Sequence, residues 1–210
     1  MSFKGQLWSL IKEAHKYQYA SISDSEEDIK HKKPRLYFTK VQWGLLVFSS
    51  LVAYLMQEGF DDSFAGYVVA GLSLFAGLFF SFVLMLLDDF QKIDFEPFKK
   101  KNNANLMPFG VRLKNYYKKS TALSFYIILL SLLCVFLLSL SLFNISINLA
   151  WISSSISIVS QIFFIGANVV RFLYRATTIY FLLDFLWITL YLIASFYDYV
   201  GSEYDKVKLK

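Results

Sequence analysis

The chain has 210 residues, of which 56% are hydrophobic and 18% are charged, and its formal net charge is +5. A soluble domain carries about a quarter charged residues, and 22 phenylalanines with 14 tyrosines exceed what a small soluble core needs. Continuous apolar runs of about 20 residues have the length of membrane-spanning helices. The composition therefore excludes an ordinary soluble domain and predicts an all-α integral membrane protein.

Few residues are suited to catalysis, metal binding or covalent cross-linking. The single cysteine, Cys134, excludes a disulfide framework within one chain. Both histidines, His15 and His31, precede the first apolar run. Gly-rich phosphate loops, HExxH, CxxC and paired intramembrane carboxylates are absent from the sequence. We therefore predict a protein that is not an enzyme, with no catalytic residues, no cofactor and no metal site.

The first predicted element is a helix within FKGQLWSLIKEAHKY, residues 3–17. Its apolar residues recur at helical spacing, whereas lysine, glutamate and histidine take the remaining face. The apolar positions are Phe3, Leu7, Leu10, Ile11, Ala14 and Tyr17. This pattern predicts an amphipathic helix that lies either on the membrane surface or against the cytoplasmic part of the protein itself.

The apolar runs predict a bundle of five transmembrane helices, with four as the alternative if one of the last two is re-entrant or interfacial. The predicted spans run from Val41 to about Gln57, Phe64 to Leu87, Thr121 to Phe143, about Leu149 to Val170 and about Thr177 to Tyr197. The predicted segments are a cytoplasmic helix and connector (1–40), a first hairpin (41–87), a basic cytoplasmic loop (88–120), the remaining spans (121–197) and a tail (198–210). A tight turn near residues 172–176 separates the last two spans.

The distribution of basic residues predicts the orientation. Residues 30–40 contain five lysines and arginines and residues 88–120 contain eight, whereas residues 58–63 contain none and carry three acids. Short cytoplasmic flanks are enriched in lysine and arginine, so the N-terminus and the basic loop are predicted to be cytoplasmic. Abundant lysine, asparagine, isoleucine, phenylalanine and tyrosine are typical of an AT-rich bacterial genome. We therefore expect a multi-pass protein of the bacterial cytoplasmic (inner) membrane.

The basic loop supplies a predicted cytoplasmic patch. Its members are Lys99, Lys100, Lys101, Arg112, Lys114, Lys118 and Lys119. Such a patch satisfies the topology and contacts the anionic headgroups of the lipid bilayer. It also suits recruitment of a soluble cytoplasmic partner. Nucleic-acid binding would rest on charge alone, and we do not expect it.

The second span carries small residues along one helical face. They are Gly66, Ala70, Ser73, Gly77 and Ser81, at steps of four, three, four and four. Small residues at this spacing let helix backbones approach closely in lipid. The stripe is either a surface for self-association or an ordinary packing face against the first span.

The uncharged run from Ser120 to Val170 ends in a polar stripe. The stripe follows steps of three and four through Ser154, Ser157, Gln161, Phe164, Asn168, Arg171 and Arg175. Unpaired polar groups in hydrocarbon cost several kcal/mol, so this face is expected to turn toward protein or water. It predicts either a water-filled pathway or interhelical hydrogen bonds.

The last span repeats this arrangement with Tyr180, Asp184, Trp187, Tyr191 and Ser195. Asp184 is the only acidic residue within any predicted span. An intramembrane carboxylate marks a functional site by default, and Arg171 is its natural partner across the predicted turn. The pair would either lock the last hairpin or take part in an ion pathway.

This layout of a cytoplasmic amphipathic segment, membrane hairpins and a basic stretch resembles small multi-pass effectors and accessory proteins of prokaryotic anti-phage systems, including those that accompany RNA-guided RNA-cleaving nucleases. The resemblance implies a role in antiviral defence. We predict a pore or channel-like homo-oligomer that alters membrane permeability on a cytoplasmic signal, because a single polar stripe encloses a channel only when several copies surround an axis. The alternative is a membrane anchor or regulatory accessory subunit that recruits a soluble cytoplasmic partner.

Overall fold

The computed structural model describes residues 2–20, 26–34, 37–56, 59–94, 106–142 and 157–207. These ranges contain the helices α1 (Phe3–Tyr17), α2 (Glu26–Lys32), α3 (Lys40–Leu55), α4 (Asp62–Lys92), α5 (Leu106–Leu142) and α6 (Ser157–Val207). No strand occurs in the described ranges, so the predicted all-α class is confirmed. Lys99, Lys100, Lys101 and Ser154 lie outside the described residues.

Three of the helices are long and apolar enough to cross a membrane, over Asp62–Lys92, Gly110–Ser141 and Ile165–Gly201. The shorter helix α3, with 16 residues, is also apolar. Large hydrophobic side chains such as Leu74 and Leu190 are mostly exposed on the outside of these helices. An exterior of this kind suits lipid, so the structure is that of a helical multi-pass membrane protein.

Side-chain caps fix where the first two apolar helices begin. Thr39 and Gln42 form a capping box at the start of α3, in which the Thr39 hydroxyl accepts from the Gln42 N–H and Gln42 Oε1 accepts from the Thr39 N–H at 3.0 Å. At the start of α4, the Asp61 carboxylate accepts from the Phe64 N–H at 3.1 Å. These caps satisfy N–H groups that have no partner within the helix, and they fix the first residues of α3 and α4.

The four apolar helices alternate in direction. Helix α3 runs antiparallel to α6, because Met56 at the end of α3 contacts Arg175 while Gln42 near its start lies against Asp184. Helix α5 is also antiparallel to α6, since Tyr116 stacks on Tyr199 whereas Leu137, further along α5, bonds to Tyr174. Helix α4 runs parallel to α6, as two aromatic pairs show: Phe75 with Phe185, and Phe82 with Phe196. The starts of α3 and α5 and the ends of α4 and α6 therefore share one side, which we call the α1 side because α1 packs there.

Helix α5 lies at the centre of the bundle and packs against α1, α4 and α6. Its buried apolar residues recur every three or four positions, at Leu123, Ile127, Leu130, Cys134 and Leu138. Small buried serines lie on the same side, at Ser120, Ser124 and Ser131. Because helix association in lipid depends on close packing, these small residues favour the close approach of neighbouring helices.

The predicted turn at 172–176 is wrong, because α6 is a continuous helix of 51 residues. The sequence RFLYRA at 171–176 contains neither glycine nor proline, and its residues are compatible with a helix interior. The predicted pairing of Arg171 with Asp184 is therefore also wrong. The two residues lie 13 positions apart on one helix, which separates them by about 20 Å along the axis. The five-span count is not confirmed.

Helical structure extends into both ends of the predicted basic loop. Helix α4 continues to Lys92, and α5 begins at Leu106. Pro108 lies in the first turn of α5, where a missing N–H removes no intrahelical bond. Helix α1 forms as predicted and packs on α5, with Ala14 and Tyr17 buried. Of the two predicted alternatives, packing against the protein itself therefore describes this part of the helix.

Candidate functional site

The polar residues in the second half of α6 face the interior of the bundle, as the predicted stripe requires. Asp184 and Ser195 are buried, and Tyr180 and Tyr191 are partly buried. Trp187 is an exception, because it is more exposed than the others. We call the inward-facing residues Tyr180, Asp184, Tyr191 and Ser195 the polar column.

Asp184 is the centre of the polar column and is 1% exposed. The Tyr126 hydroxyl on α5 donates to its Oδ2 at 3.4 Å, and the Gln42 side chain on α3 lies against the same carboxyl group. Its Oδ1 has no well-formed hydrogen bond to any described residue. A buried polar atom without a partner costs about 1–3 kcal/mol, and more when it is charged. Asp184 therefore occupies a site that is energetically unfavourable for the fold alone.

Gln42 was not identified as a site residue from the sequence. Its Oε1 accepts from Thr39 in the capping box, which leaves the amide nitrogen to face Asp184. The signal was present as Thr39-Lys40-Val41-Gln42, a T-x-x-Q pattern immediately before an apolar run. The cap of α3 and the intramembrane carboxylate are thus joined by one side chain, which is 3% exposed.

On the side opposite α1, α6 binds the ends of its neighbours through backbone carbonyls. The Arg175 guanidinium donates to the Met56 carbonyl at the C-cap of α3. The Tyr174 hydroxyl donates to the Leu137 carbonyl of α5. A cation at a helix C-terminus interacts favourably with the helix dipole, so Arg175 fastens α3 to α6 and does not serve as the counter-ion of Asp184.

On the α1 side, Tyr191 connects three helices. Its hydroxyl donates to the Tyr17 carbonyl at the end of α1 at 2.8 Å and accepts from the Lys119 ammonium of α5 at 3.1 Å. Lys119 also lies 4.6 Å from the centre of the Tyr191 ring. A second link joins α1 to α5, because Lys118 forms an ion pair with Glu13 at 2.7 Å. A movement of α1 would therefore directly disturb its contacts with α5 and α6.

The stripe predicted for span four is not brought to the polar column. Asn168 and Arg171 are exposed on α6. Ser157 and Gln161 lie in the same helix, but the structure does not describe their side chains. Asn168 precedes Asp184 by 16 residues, or about 24 Å of helix. The two predicted polar stripes therefore lie in different segments of one helix.

The small-residue stripe of α4 faces away from the other described helices. Gly66, Ala70, Ser73, Gly77 and Ser81 are all exposed. A Cβ atom added at Gly66 or Gly77 would meet nothing within 4 Å. Helix α4 packs on α5, and α3 packs on α6, so the alternative of packing against the first span does not describe this face.

The predicted basic patch is divided between different environments. Arg112 and Lys114 are exposed on α5. Lys118 is paired with Glu13, and Lys119 is only 5% exposed. Lys119 is therefore an internal cation at the α1 side and does not belong to a surface patch.

The described helices and the polar column define a helical multi-pass membrane protein with an internal carboxylate. Comparison of the chain with models of known protein families, with curated proteins and with solved structures found no match. The chemical possibilities of the site therefore follow from its own residues. A carboxylate flanked by a phenol and an amide can hold a proton or a desolvated small cation.

Proposed function

We propose that the protein is a non-enzymatic membrane effector that changes the ion permeability of the bacterial cytoplasmic membrane when a cytoplasmic signal arrives. The observation that carries this proposal is the buried Asp184 carboxylate, whose Oδ1 lacks a hydrogen-bond partner among the described residues. Ionisable residues within membrane helices are expensive and mark ion or proton pathways. The polar column extends this path along α6 toward Lys119 and Tyr191.

The proposed active form is a homo-oligomer. Within one copy, Tyr126 and Gln42 cover Asp184, so the column is closed in this state. The exposed small residues of α4 offer a face on which a helix of a second copy can pack closely. A path lined by α6 would then open when neighbouring copies rearrange around an axis.

The proposed topology has four spans with both described ends in the cytoplasm. Helices α3, α4, α5 and α6 alternate in direction, and the exposed cations Arg112 and Lys114 lie on the α1 side. Asp61 and Asp62 lie on the opposite side, at the start of α4. This distribution agrees with the enrichment of basic residues in cytoplasmic flanks.

Replacing Asp184 tests the permeability proposal. Asp184→Leu should reduce ion flux in proteoliposomes, and dye uptake by expressing cells, by at least about tenfold, equivalent to about 1.4 kcal/mol, while membrane insertion persists. Leu190→Ala is a matched control, because Leu190 lies on the exposed face of the same helix, and it should retain the wild-type flux. Wild-type flux in Asp184→Leu would reject the pathway.

The second candidate is a membrane anchor or regulatory subunit that recruits a soluble cytoplasmic partner, which the exposed Arg112 and Lys114 beside α1 favour. Charge reversal of Lys99, Lys100 and Lys101, or of Arg112 and Lys114, should then abolish partner capture and function. Asp184→Leu would leave both intact. The two candidates thus predict opposite outcomes for the same pair of variants.

A further inference from the structure

A second polar site lies on the α1 side, where the end of α1 meets α2, α5 and α6. A cavity of about 390 Å³ is lined there by Gln18, Lys32, Lys119, Tyr191, Ser195 and Asp198, among others. This volume falls within the range of small-molecule sites, roughly 300–1,000 Å³. Its wall combines cationic, amide, hydroxyl and carboxylate groups, unlike the apolar groove between α3, α4 and α6.

Gln18 carries side-chain hydrogen-bonding groups that a molecule bound in the cavity can use. Both polar atoms of its side chain, Nε2 and Oε1, are shielded from bulk solvent and have no hydrogen-bond partner among the described residues. Its backbone N–H is satisfied, because it donates to the His15 carbonyl at the end of α1 at 3.1 Å. Buried amides are normally paired, so a small rotation of this side chain toward a bound molecule would recover the missing hydrogen bonds.

The charges around the cavity select an anion. Lys119 holds a buried ammonium group at the wall, and Lys32 adds a second cation from α2. Among the described residues that line the cavity, Asp198 supplies a carboxylate. Two ammonium groups, an amide and a hydroxyl favour a tetrahedral oxyanion, whereas Asp198 can accept a hydrogen bond from another part of the same molecule.

We propose that this cavity binds the phosphate group of an organic phosphate ester that also carries a hydroxyl or amino group, either a soluble cytoplasmic compound or a lipid headgroup. The phosphate contacts Lys119, Lys32 and the Gln18 amide, and the hydroxyl or amino group contacts Asp198. This inference deepens the proposed function, since it assigns the class of the cytoplasmic signal. Tyr191 lies in the cavity wall and its hydroxyl donates to the Tyr17 carbonyl of α1. Binding of a ligand in the cavity therefore acts on the contact between α1 and α6.

Binding is tested on the full-length protein in detergent and in nanodiscs. The soluble probes are AMP and inorganic phosphate, measured by calorimetry in detergent. The lipid probe is a nanodisc of phosphatidylglycerol compared with one of phosphatidylcholine, measured as a shift in thermal stability. Saturable binding of AMP supports a soluble source, and stabilisation by phosphatidylglycerol alone supports a headgroup.

Variants assign the binding to the cavity. Lys119→Met keeps the length of the side chain without its charge and should weaken binding by at least about tenfold. Lys32→Gln, at an exposed position, guards against misfolding of Lys119→Met and should weaken binding severalfold. Lys12→Gln is the control, because Lys12 is an exposed lysine of α1 outside the cavity lining, and it should bind as the wild type does.

Two outcomes would overturn the proposal: no binding of any probe, or binding that Lys119→Met and Lys32→Gln leave unchanged. Ion flux is measured separately in the same preparations. If the probes bind at the cavity while Asp184→Leu leaves flux unchanged, the ligand site stands and the permeability proposal fails. If Asp184→Leu abolishes flux while no probe binds, the permeability proposal stands and the ligand site fails.

Discussion

Asp184 and Lys119 are the charged side chains among the buried residues of the described helices. Tyr126 and Gln42 face the carboxylate, and the Tyr191 hydroxyl and ring face the ammonium. Tyr191 follows Asp184 by seven residues, so the two sites are about 10 Å apart along α6. Tyr126 and Gln42 hold the Asp184 carboxylate in place without neutralising its charge, which leaves the carboxylate able to bind a mobile cation.

The first prediction concerns the cost of the Asp184 carboxylate. Removing an uncompensated buried charge while keeping the shape of the side chain is often neutral or stabilising. Asp184→Asn should therefore leave the melting temperature in detergent unchanged or raise it by a few degrees, at about 2–4 °C per kcal/mol for a chain of this size. Tyr126→Phe, which removes a long hydrogen bond, should change stability by less than about 1 kcal/mol. A fall of more than about 5 °C in Asp184→Asn would show that the carboxylate supports the fold.

The second prediction concerns His15 on α1. Its ring stacks on Tyr37 with 4.3 Å between centroids. Burial lowers the pKa of His15 from its ordinary 6.5, a hydrogen bond to the Tyr37 backbone raises it, and the charge of Lys33 lowers it. His15 binds a proton less readily when α1 is packed on the bundle than when α1 is released. The packing of α1 is therefore fully stable above pH 6.5 and weakens as the pH falls below that value.

Spin labels at Lys12 and Arg112, introduced as cysteines with Cys134→Ser, report the distance between α1 and α5. In this background the distance distribution should broaden toward longer values at pH 5.5 and stay narrow at pH 7.5. His15→Gln should remove the difference between the two pH values. The same broadening in His15→Gln would assign the effect to another group.

At the scale of the helices, spacing and length in the sequence predicted most of what forms. The spans predicted at 41–57 and 64–87 correspond to α3 and α4, and Asp184 and Ser195 of the last predicted stripe are buried. Periodicity succeeds there because one face of each helix must avoid lipid. The turn predicted at 172–176 does not form, because no glycine or proline breaks the helix there.

The partners of polar side chains were harder to predict than the faces on which they lie. Arg175 binds a backbone carbonyl at Met56, and a carbonyl leaves no trace in the pattern of side chains. Gln42 contacts Asp184 although the two residues lie more than a hundred positions apart in the sequence. Such contacts depend on which helices pack together, and the sequence of one chain does not specify that order.

The third prediction compares the two arginines of α6. Arg175→Ala removes the cation from the C-terminal end of α3, which should destabilise the last turn of α3 by about 1 kcal/mol. Hydrogen exchange should then accelerate by about fivefold over residues 52–56. Arg171→Ala is the control, because Arg171 is exposed one turn away on the same helix, and it should leave this exchange unchanged. Equal effects of both variants would show that charge on α6, without the contact to Met56, is responsible.

At the scale of the whole molecule, the alternating directions of the four apolar helices have a consequence for topology. If all four span the membrane, α1 and the end of α6 lie on one side and the loop before α4 lies on the other. Single cysteines at Lys12, Ser63 and Asp198, each with Cys134→Ser, test this arrangement because all three positions are exposed. An impermeant maleimide added to intact cells should label Ser63→Cys and should not label the other two. Labelling of Asp198→Cys together with Ser63→Cys would require an odd number of spans.

The final prediction concerns assembly into an oligomer. Because the small-residue stripe of α4 is exposed, substitutions there test assembly without disturbing the fold of a single copy. An added Cβ at Gly66 or Gly77 meets nothing within 4 Å, and both positions are exposed, so we expect leucine there to leave the described packing intact. If a second copy packs on this face, the larger side chains prevent the close approach of the two backbones. Gly66→Leu with Gly77→Leu should therefore weaken association by at least about tenfold, or about 1.4 kcal/mol.

The mass of the particle in detergent, measured by light scattering and native mass spectrometry, gives the oligomeric state directly. Gly71→Leu is the matched control, since Gly71 lies on the same helix with equal free space but faces a different direction from the stripe. It should assemble as the wild type does. A wild-type protein that stays monomeric would remove the oligomer from the proposed function, because one copy alone keeps Asp184 covered by Tyr126 and Gln42. A stable oligomer that tolerates leucine at Gly66 and Gly77 would place the interface on another helix and leave the α4 stripe facing lipid.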